Sequence, residues 1–403
     1  MNVALDLSQY FANLFLLAIV FAPIYRFTKS VVIRQCLMVV MGALLLYYIA
    51  PRLVPLYMIY WIVVILAQRF MLHYRDSQWA TWLLWVCLAV LIAPMILWKL
   101  FPSIFTPRLA WFGHSIISAL VPDLGFVDSH HDLIIPVGLS FATFRALDLL
   151  LQTYLGTVGA LTPGFIIAYG FCPMLIPVGP IATVQEVDFS LSASTTDVKV
   201  GLLRITLGLF KIFFLASMIQ HWSGVFTSSD HPGWQLMIGL GVFAFYFYLN
   251  FAGFSDLAIG SSRLFGMKMP ENFRWPLFRG SPQKFWANWH ASLSRFAQRY
   301  IFIAVGGYRR NRQSIALLAT MMVIAWWHDL NLSWTIFGIY HGCGLIVHRL
   351  YTTHKPKAII HIQGRWYYQT ACVMALFSFV ALGFPIISLP PEKLLDFYMA
   401  LLK

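Results

Sequence analysis

Charged residues are scarce in this chain. Asp, Glu, Lys and Arg make up 11% of its 403 residues, whereas 60% are hydrophobic. A soluble domain keeps about a quarter of its residues charged, so the composition excludes an ordinary soluble protein. No stretch is long and polar enough to form a soluble domain of its own. The chain is therefore predicted to be one membrane-embedded helical domain over residues 1–403, because helices satisfy their own backbone hydrogen bonds in lipid.

Cysteine is also rare. The five cysteines stand far apart in apolar segments, without metal-ligand spacing or a disulfide pattern, so we interpret them as packing residues and expect no metal site. No Gly-x-Ser-x-Gly sequence is present, which gives no support to a covalent serine intermediate. The N-terminus lacks a basic region and a small-residue cleavage site before its first apolar run, so we expect a retained span.

Acidic residues are fewer than basic ones, with 15 Asp and Glu against 28 Lys and Arg, and the formal net charge is +13. Lysine and arginine mostly occupy short connections between apolar runs, which is the positive-inside bias of membrane proteins. No basic face exists outside these connections, so we expect no nucleic-acid partner. The charge indicates a multi-pass membrane protein with a lipid bilayer around it.

Apolar runs recur along most of the sequence. They lie at residues 10–25, 31–49, 53–70, 79–100, 109–121, 133–155, 200–220, 235–260 and 367–389, with a hairpin between 312 and 349. These runs predict an all-α polytopic membrane protein with about eleven transmembrane helices and some re-entrant segments. Residues 162–183 contain four prolines and three glycines, which predicts a broken helix packed against protein or a water-filled cavity.

Several polar side chains stand in apolar runs where lipid would penalise them. Arg145 and Asp148 lie three residues apart, so they share a helical face, either as a structural ion pair or facing a substrate. Asn250 and Asp256 are expected to face the protein interior for the same reason. His130 and His131, by contrast, belong to a polar loop without a third ligand nearby, and we interpret them as solvated.

Two basic clusters, at residues 263–284 and 295–312, bracket the segment FWANWHASL. The positive-inside rule places both clusters on the cytoplasmic side, so this segment is not expected to cross the bilayer. Cysteine labels at Ser281 and Asn311 should report the same face. The loop at 221–234 contains no Lys or Arg and is placed outside.

Three histidines distinguish the stretch from Phe285 to Gly342. His290, His328 and His341 stand in or beside apolar segments, among several tryptophans. Interfacial histidines in an aromatic belt are the plain alternative. However, an ionisable residue at membrane depth is a functional candidate, and the imidazole pKa suits proton transfer. Since three occur within about sixty residues of one another, we interpret this stretch as the candidate active site.

Six stretches in order through the middle of the chain resemble the membrane-bound O-acyltransferase family, and most closely its bacterial branch of alginate O-acetyltransferases and teichoic acid D-alanyl transferases. They are IPVGLSFATFRALD (135–148), FYLNFAGFSDLAIG (247–260), MPENFRWP (269–276), FWANWHASLSRF (285–296), VGGYRRNR (305–312) and WWHDLNLSWTIFGIYHG (326–342). The resemblance implies a ring of tilted helices around a central tunnel, with a motif core at about 133–350 and peripheral helices at 1–121 and 366–389.

The resemblance also implies which residues act. His328 matches the family's key Trp-His histidine, and His290 matches the histidine of the Trp-His-x-Ser-Leu-Ser motif. The family usually has Gly after the first of these, where this chain has Asp329, which leaves the local backbone shape and acceptor choice open. The residues expected to bind substrate or line the tunnel are Asn288, Trp289, Ser292, Asp256, Asn250, Arg145, Trp327 and His341.

Acyl transfer from a thioester to a hydroxyl requires a base for the hydroxyl proton and a donor for the developing oxyanion. A histidine at the tunnel junction can be the base, while His290, Asn288, Trp289 or Ser292 can assist the oxyanion or hold the carbonyl. The resemblance implies acetyl-CoA, another acyl-CoA or an acylated phosphopantetheinyl carrier protein as donor on the cytoplasmic face. It further implies an exported glycan or an extracytoplasmic acyltransferase as acceptor, and the bacterial inner membrane as location.

Three functional classes stay open at this point. The main hypothesis is transfer of a short acyl group, acetyl rather than D-alanyl, to a cell-envelope glycan. Acetyl is favoured by the SDLAIG and Gly-Gly-Tyr-Arg sequences, whereas the chain length is closer to the D-alanyl members. A proton-coupled transporter would explain broken helices and intramembrane acids, but no inverted repeat is evident. A membrane scaffold without chemistry of its own is the third class.

Overall fold

The computed structural model of the protein describes residues 2–49, 51, 53–101, 134–227 and 231–402. These residues form helices and connecting loops, and no β-strand occurs among them. The predicted run at 109–121 and the loop histidines His130 and His131 lie outside the described residues. The all-α class predicted from the sequence is confirmed.

Sixteen α-helices follow one another in the described ranges. They are α1 (Asn2–Phe27), α2 (Val31–Ile49), α3 (Leu53–Tyr74), α4 (Ala80–Leu100), α5 (Ile134–Tyr154), α6 (Pro163–Gly170), α7 (Thr195–Leu209), α8 (Ser217–Ser223), α9 (Gly233–Leu264), α10 (Pro282–Trp286), α11 (Ala291–Ala297), α12 (Gln313–His328), α13 (Leu332–Thr353), α14 (Lys357–Ile362), α15 (Trp366–Ser388) and α16 (Pro391–Leu401). Two π-helical turns, Phe210–Ala216 and Gln298–Phe302, extend α7 and α11.

Seven helical segments of the described chain are long and apolar enough to cross a membrane. They are Gln9–Phe27, Val31–Tyr48, Leu53–Tyr74, Ala80–Leu100, Thr195–Thr227, Gly233–Leu264 and Trp366–Ser388. The sequence-based count of about eleven also included the run at 109–121, α5 and the two helices of the 312–349 hairpin. Of these, α12 has 16 residues and therefore rises about 24 Å, less than a full span. The protein is multi-pass, while the ring around a tunnel stays a prediction.

The chain divides into two compact units, Met1–Ile205 with Leu257–Pro270 and Thr206–Asp256 with Glu271–Lys403. The predicted single domain over residues 1–403 and its motif core stay predictions. In the first unit, α3 and α4 pack against α5, and α2 packs against α6. In the second unit, α12 and α13 form a hairpin, and α15 packs against α13.

The broken helix predicted at residues 162–183 is present in the first unit. Helix α6 ends at Gly170, and a single 3-10 turn, Pro173–Leu175, follows it. Buried side chains satisfy the carbonyls that the break leaves without helical partners: Arg145 donates to the carbonyl of Tyr169 at 2.5 Å, and the Tyr10 hydroxyl donates to that of Pro173 at 2.6 Å. Non-helical backbone at membrane depth requires such partners, because water is absent there.

In the second unit, two glycines let the hairpin helices approach closely. Gly338 and Gly342 lie four residues apart on α13, and a Cβ at Gly342 would stand 2.7 Å from Leu318 of α12. A Cβ at Gly338 would stand 3.0 Å from Ala325. Small residues at this spacing allow close helix packing in membranes, so the end of α12 is held against the middle of α13.

The segment from residue 282 to 297 consists of two short helices. Helix α10 has 5 residues and α11 has 7. Even with its π-helical extension to Phe302, α11 rises only about 18 Å, whereas the hydrocarbon core is about 30 Å thick. This segment is therefore too short to cross the bilayer, in agreement with the charge pattern.

Single cysteines test this topology. Ser281 is buried and its hydroxyl caps α10, so the label belongs on the exposed Lys284 instead. In a variant whose five native cysteines are alanine, cysteines at Lys284 and Asn311 should react with a membrane-impermeant maleimide only from the cytoplasmic face. A cysteine at the exposed His221 should react only from the opposite face. Labelling of Lys284 and Asn311 from different faces would contradict the topology.

Candidate active site

One cavity of about 50 Å³ lies within the second unit, and all three histidines of the candidate stretch line it. Its walls are Phe247, Phe251, Phe285, Trp286, Trp289, His290, Leu293, His328, Trp334, Phe337, His341, Val380, Phe384 and Ile387. The histidines come from three elements, since His290 precedes α11, His328 ends α12 and His341 lies in the middle of α13. The fold thus brings together the residues that the sequence singled out.

The three histidines differ in depth. His290 and His341 are each 2% exposed, whereas His328 is exposed at the end of its helix. The sequence led us to expect His328 at a buried junction of the tunnel, and this expectation is wrong because the residue is exposed. His328 lies at the mouth of the cavity because α12 ends there, and His290 and His341 are the buried pair.

His290 has an unusual backbone conformation. Its φ of 43° and ψ of 52° are in the left-handed region, which costs a residue with a Cβ roughly 1–2 kcal/mol. Two backbone hydrogen bonds pin the turn on either side: Ala291 N–H donates to the carbonyl of Asn272 at 2.9 Å, and Arg274 N–H donates to that of Asn288 at 3.1 Å. Strain held in this way often marks a functional position.

The Asn272 side chain forms hydrogen bonds to residues on this turn. It is fully buried, and its Oδ1 lies 3.1 Å from His290 Nδ1. The same oxygen accepts hydrogen bonds from the Ser292 backbone N–H at 3.3 Å and from the Ser292 hydroxyl at 2.9 Å. The Asn272 Nδ2 donates to the Ser255 hydroxyl at 3.2 Å, so one amide joins the turn to α9.

His328 is held by stacking and by the turn that follows it. Its ring lies parallel to Trp334, with centroids 4.3 Å apart. Asn331 caps α13 by accepting from Trp334 N–H at 2.9 Å. Asp329 has φ −160° and ψ 151°, an extended conformation open to any residue, so the turn does not require the glycine that the resemblance led us to expect. The Asp329 carboxylate accepts from Leu330 N–H and from the Asn331 amide.

His341 is surrounded by aromatic rings. The Trp286, Phe337, Tyr340 and Phe379 rings have centroids 4.4–5.3 Å from that of His341. Its Nδ1 is buried and has no hydrogen-bond partner in the described part of the chain, and the same holds for Trp286 Nε1. Buried polar atoms are nearly always paired, so these two stand out as groups whose hydrogen-bonding capacity is unused.

The other residues predicted to bind substrate or line a tunnel divide into two groups. Trp289 lines the cavity, and the Trp327 ring lies 6.1 Å from that of His290 without being one of the lining residues. The polar groups of Asn250, Asn288 and Ser292 are absent from the lining. Asn250 donates to the Tyr246 carbonyl, Asn288 donates to the Lys284 carbonyl, and Ser292 donates to Asn272.

Asp256 and Arg145 are also absent from the cavity lining. Asp256 accepts from Lys211 at 2.5 Å, within the second unit. Lys211 lies in the π-helical turn Phe210–Ala216, and such turns often occur at functional positions. Arg145 belongs to the first unit, where its partners are the Tyr57 hydroxyl and the carbonyls of Tyr169 and Gly170, rather than the Asp148 carboxylate. Asp148 accepts from Gln152 at 2.7 Å.

Several cavity residues were not predicted as site residues. They are Phe247, Phe251, Phe285, Trp286, Leu293, Trp334, Phe337, Val380, Phe384 and Ile387. Their apolar side chains look like any other membrane-facing residue in the sequence. Asn272, which contacts His290 but does not line the cavity, was not predicted either. Asn272 stood in the MPENFRWP stretch, but only the folded turn shows which residues its amide contacts.

The cavity combines an apolar lining with three imidazoles. No carboxylate lines it among the residues that the structure describes. An apolar site strengthens hydrogen bonds to a bound polar group and disfavours a bound charge without a counter-ion. The arrangement therefore suits proton transfer to or from a small neutral substrate group.

Comparison with known proteins gives matches over the same part of the chain. The sequence model of the membrane-bound O-acyltransferase family matches residues 158–389, which include the whole cavity lining. A probable alginate O-acetylase of Azotobacter vinelandii is 29% identical over 279 residues, covering 66% of this chain and 55% of that protein. A peptidoglycan O-acetyltransferase of Helicobacter pylori is 30% identical over 168 residues, covering 40% of this chain and 31% of that protein.

A teichoic acid D-alanyltransferase of Bacillus subtilis is 26% identical over 299 residues, covering 68% of this chain and 75% of that protein. The chain thus spans about half the length of the alginate relatives and three quarters of this one. The three relatives modify different polymers, and the matches alone do not choose between them.

The Lys211–Asp256 ion pair should stabilise the second unit. Lys211→Met or Asp256→Asn alone leaves a charge at membrane depth, and each should lower the free energy of unfolding by about 3 kcal/mol. The double variant removes both charges and should lose less than either single variant. Melting temperatures in detergent measure this, with Lys199→Met, at an exposed lysine of α7, as control. Single variants as stable as the control would show that the pair contributes nothing.

Proposed function

The chain belongs to the membrane-bound O-acyltransferase family, and from that premise we propose that it transfers a short acyl group, acetyl, from a thioester to a hydroxyl of a cell-envelope polymer. The observation that carries this proposal is the convergence of His290, His328 and His341 on one small apolar cavity. Imidazoles are the side chains best suited to proton transfer near neutral pH. The proposed catalytic residues are His328 and His290.

The size of the cavity supports a small acyl group. One water molecule needs about 10–15 Å³ of such space, so about 50 Å³ accommodates a group of roughly three or four non-hydrogen atoms. An acetyl group, with two carbons and one oxygen, fits this space. A longer acyl chain would have to extend beyond this cavity.

The polarity of the cavity favours acetyl over D-alanyl. A D-alanyl group carries an ammonium, and a buried cation without a partner is strongly unfavourable. Among the described residues, the lining offers aromatic faces and imidazoles but no carboxylate to balance that charge. An acetyl group carries no charge, and its methyl group packs against aromatic rings at no electrostatic cost.

The reaction follows from these groups. The acceptor hydroxyl attacks the thioester carbonyl carbon, and a cavity histidine takes the hydroxyl proton as the new C–O bond forms. The tetrahedral intermediate then collapses, the C–S bond breaks, and the proton passes to the departing thiolate. In this proposal the exposed His328 meets the acceptor, and the Trp286 indole N–H, which has no hydrogen-bond partner in the described ranges, donates to the carbonyl oxygen.

The donor and location form part of the proposal. We place the protein in the bacterial inner membrane, with the donor thioester, acetyl-CoA or an acylated phosphopantetheinyl carrier protein, on the cytoplasmic face. The exposed Arg309, Arg310 and Arg312 belong to a basic cluster that would attract the phosphates of either donor. The acceptor is an exported glycan or an extracytoplasmic acyltransferase that passes the group on.

D-alanyl transfer toward teichoic acid or a similar polymer is the second candidate. The observation in its favour is the similarity to the Bacillus subtilis teichoic acid D-alanyltransferase, which is 26% identical over 299 residues. A proton-coupled transporter is the alternative of another class. It explains intramembrane charges such as Asp256, yet it gives no reason for three histidines around one small apolar cavity.

Replacing His328 tests the proposal in cells. In a strain that carries this gene, His328→Ala should reduce ester-linked acetate on envelope polymers by at least about 100-fold, the usual contribution of a general base. Mild alkali releases such esters, and chromatography distinguishes acetate from D-alanine. The matched control is His354→Ala, at the exposed end of α13, which should leave acetylation unchanged.

Protein abundance in the membrane must be equal across the strains. Normal acetate in a well-expressed His328→Ala strain would contradict the catalytic assignment. Loss of ester-linked D-alanine with acetate unchanged would replace acetyl by the second candidate.

A further inference from the structure

The amide of Asn272 determines which nitrogen of His290 carries the proton. A backbone N–H can only donate, so the Asn272 atom that accepts from Ser292 N–H at 3.3 Å must be the oxygen. The opposite end of the amide donates to the Ser255 hydroxyl, which agrees with this orientation. His290 Nδ1 faces the same oxygen at 3.1 Å, and two acceptors do not attract each other. His290 Nδ1 is therefore the donor of this pair.

A neutral imidazole has one N–H and one lone pair. If the proton is on Nδ1, the lone pair is on Nε2, at the opposite edge of the ring. His290 lines the cavity, so its nitrogen toward a bound substrate accepts hydrogen bonds and protons. It cannot donate to a developing oxyanion while it is neutral. The expectation that His290 assists the oxyanion is thereby replaced by a role as acceptor.

Resting on the proposed acyl transfer, we propose that Asn272 is a positioning residue, which holds His290 as the Nδ1–H tautomer so that Nε2 receives the hydrogen of a substrate hydroxyl or thiol. Asn272 itself lines no part of the cavity and acts through His290. Its backbone carbonyl and side-chain oxygen together hold residues 290–292, so it also supports the left-handed turn at His290. Both effects orient the same ring.

The hydrogen-bond donors next to His290 already have partners in the protein. This supports a site in which His290 accepts the proton and another group stabilises the oxyanion. The Ser292 hydroxyl donates to Asn272, and the Asn288 amide donates to the Lys284 carbonyl at 2.7 Å. Neither is placed to serve the carbonyl oxygen. Oxyanion stabilisation then falls to N–H groups of the cavity walls, among which Trp286 Nε1 has no partner in the described ranges.

The tautomer can be read in the resting protein, without any substrate. The probe is ¹⁵N-labelled histidine in purified protein, with His290 assigned as the signal missing from His290→Gln. Nitrogen chemical shifts separate protonated from unprotonated ring nitrogens, and we expect a protonated Nδ1 and an unprotonated Nε2. The opposite pattern in the unsubstituted protein would overturn the proposal, whether or not any Asn272 variant folds.

Substitutions of Asn272 then test whether its amide sets the tautomer of His290. Asn272→Leu should let His290 populate both tautomers, and Asn272→Asp should keep the Nδ1–H form because a carboxylate still accepts. Ser255→Ala is the matched control, since it removes only the contact on the amide's other end and should leave the tautomer unchanged. An unchanged tautomer in folded Asn272→Leu would show that this amide does not set it.

Kinetics separate positioning from mere packing. In a transfer assay with acetyl-CoA, Asn272→Leu should lower kcat by roughly 100-fold or more with little change in KM, as loss of the correct tautomer does in other histidine sites. Asn272→Asp should recover part of kcat. A folded Asn272→Leu with full kcat would overturn the positioning role. A protein that shows the expected tautomer but transfers no acetyl would instead overturn the proposed function alone.

Discussion

Backbone that leaves the helix at membrane depth must find hydrogen-bond partners in the protein, because lipid offers none. Each unit meets this constraint with a buried polar side chain. In the first unit, Arg145 and the Tyr10 hydroxyl donate hydrogen bonds to the backbone carbonyls at the break after α6. In the second unit, Asn272 holds the turn that leads into α11. The segment from residue 282 to 297 in the second unit is therefore short and does not span the membrane, and it positions His290 at the apolar cavity.

The same constraint explains the chemistry of the site. The polar groups of Asn272 and Ser292 beside His290 form hydrogen bonds within the turn, so they are not available to bind water or substrate in the cavity. What faces the interior is aromatic and aliphatic surface with three imidazoles. Such an apolar site favours proton transfer with a small neutral acyl group and disfavours a charged one. The exposed position of His328 leaves one end of the cavity open to an acceptor.

Much of this could be predicted from the sequence, because some signals are local. Prolines and glycines in an apolar run predicted the break at 162–183, and histidines in apolar segments predicted the three residues that meet at the cavity. Non-local pairings could not be predicted in this way. Asp256 pairs with Lys211, 45 residues away, and Arg145 is bonded to carbonyls rather than to the carboxylate three positions on. His328 was expected to be buried but is exposed. The sequence shows that a helix ends near His328, but it does not show how much of that last helical residue other parts of the protein cover.

The most direct test of the account is a structure of the full chain in lipid nanodiscs with S-acetonyl coenzyme A, a thioether analogue of acetyl-CoA that has no thioester bond and cannot take part in acyl transfer. The account predicts that the acetonyl carbonyl lies in the cavity between His290, His328 and His341, within hydrogen-bonding distance of an imidazole or indole nitrogen. Binding of the analogue with its acetonyl group outside this cavity would contradict the claim that acyl transfer takes place there.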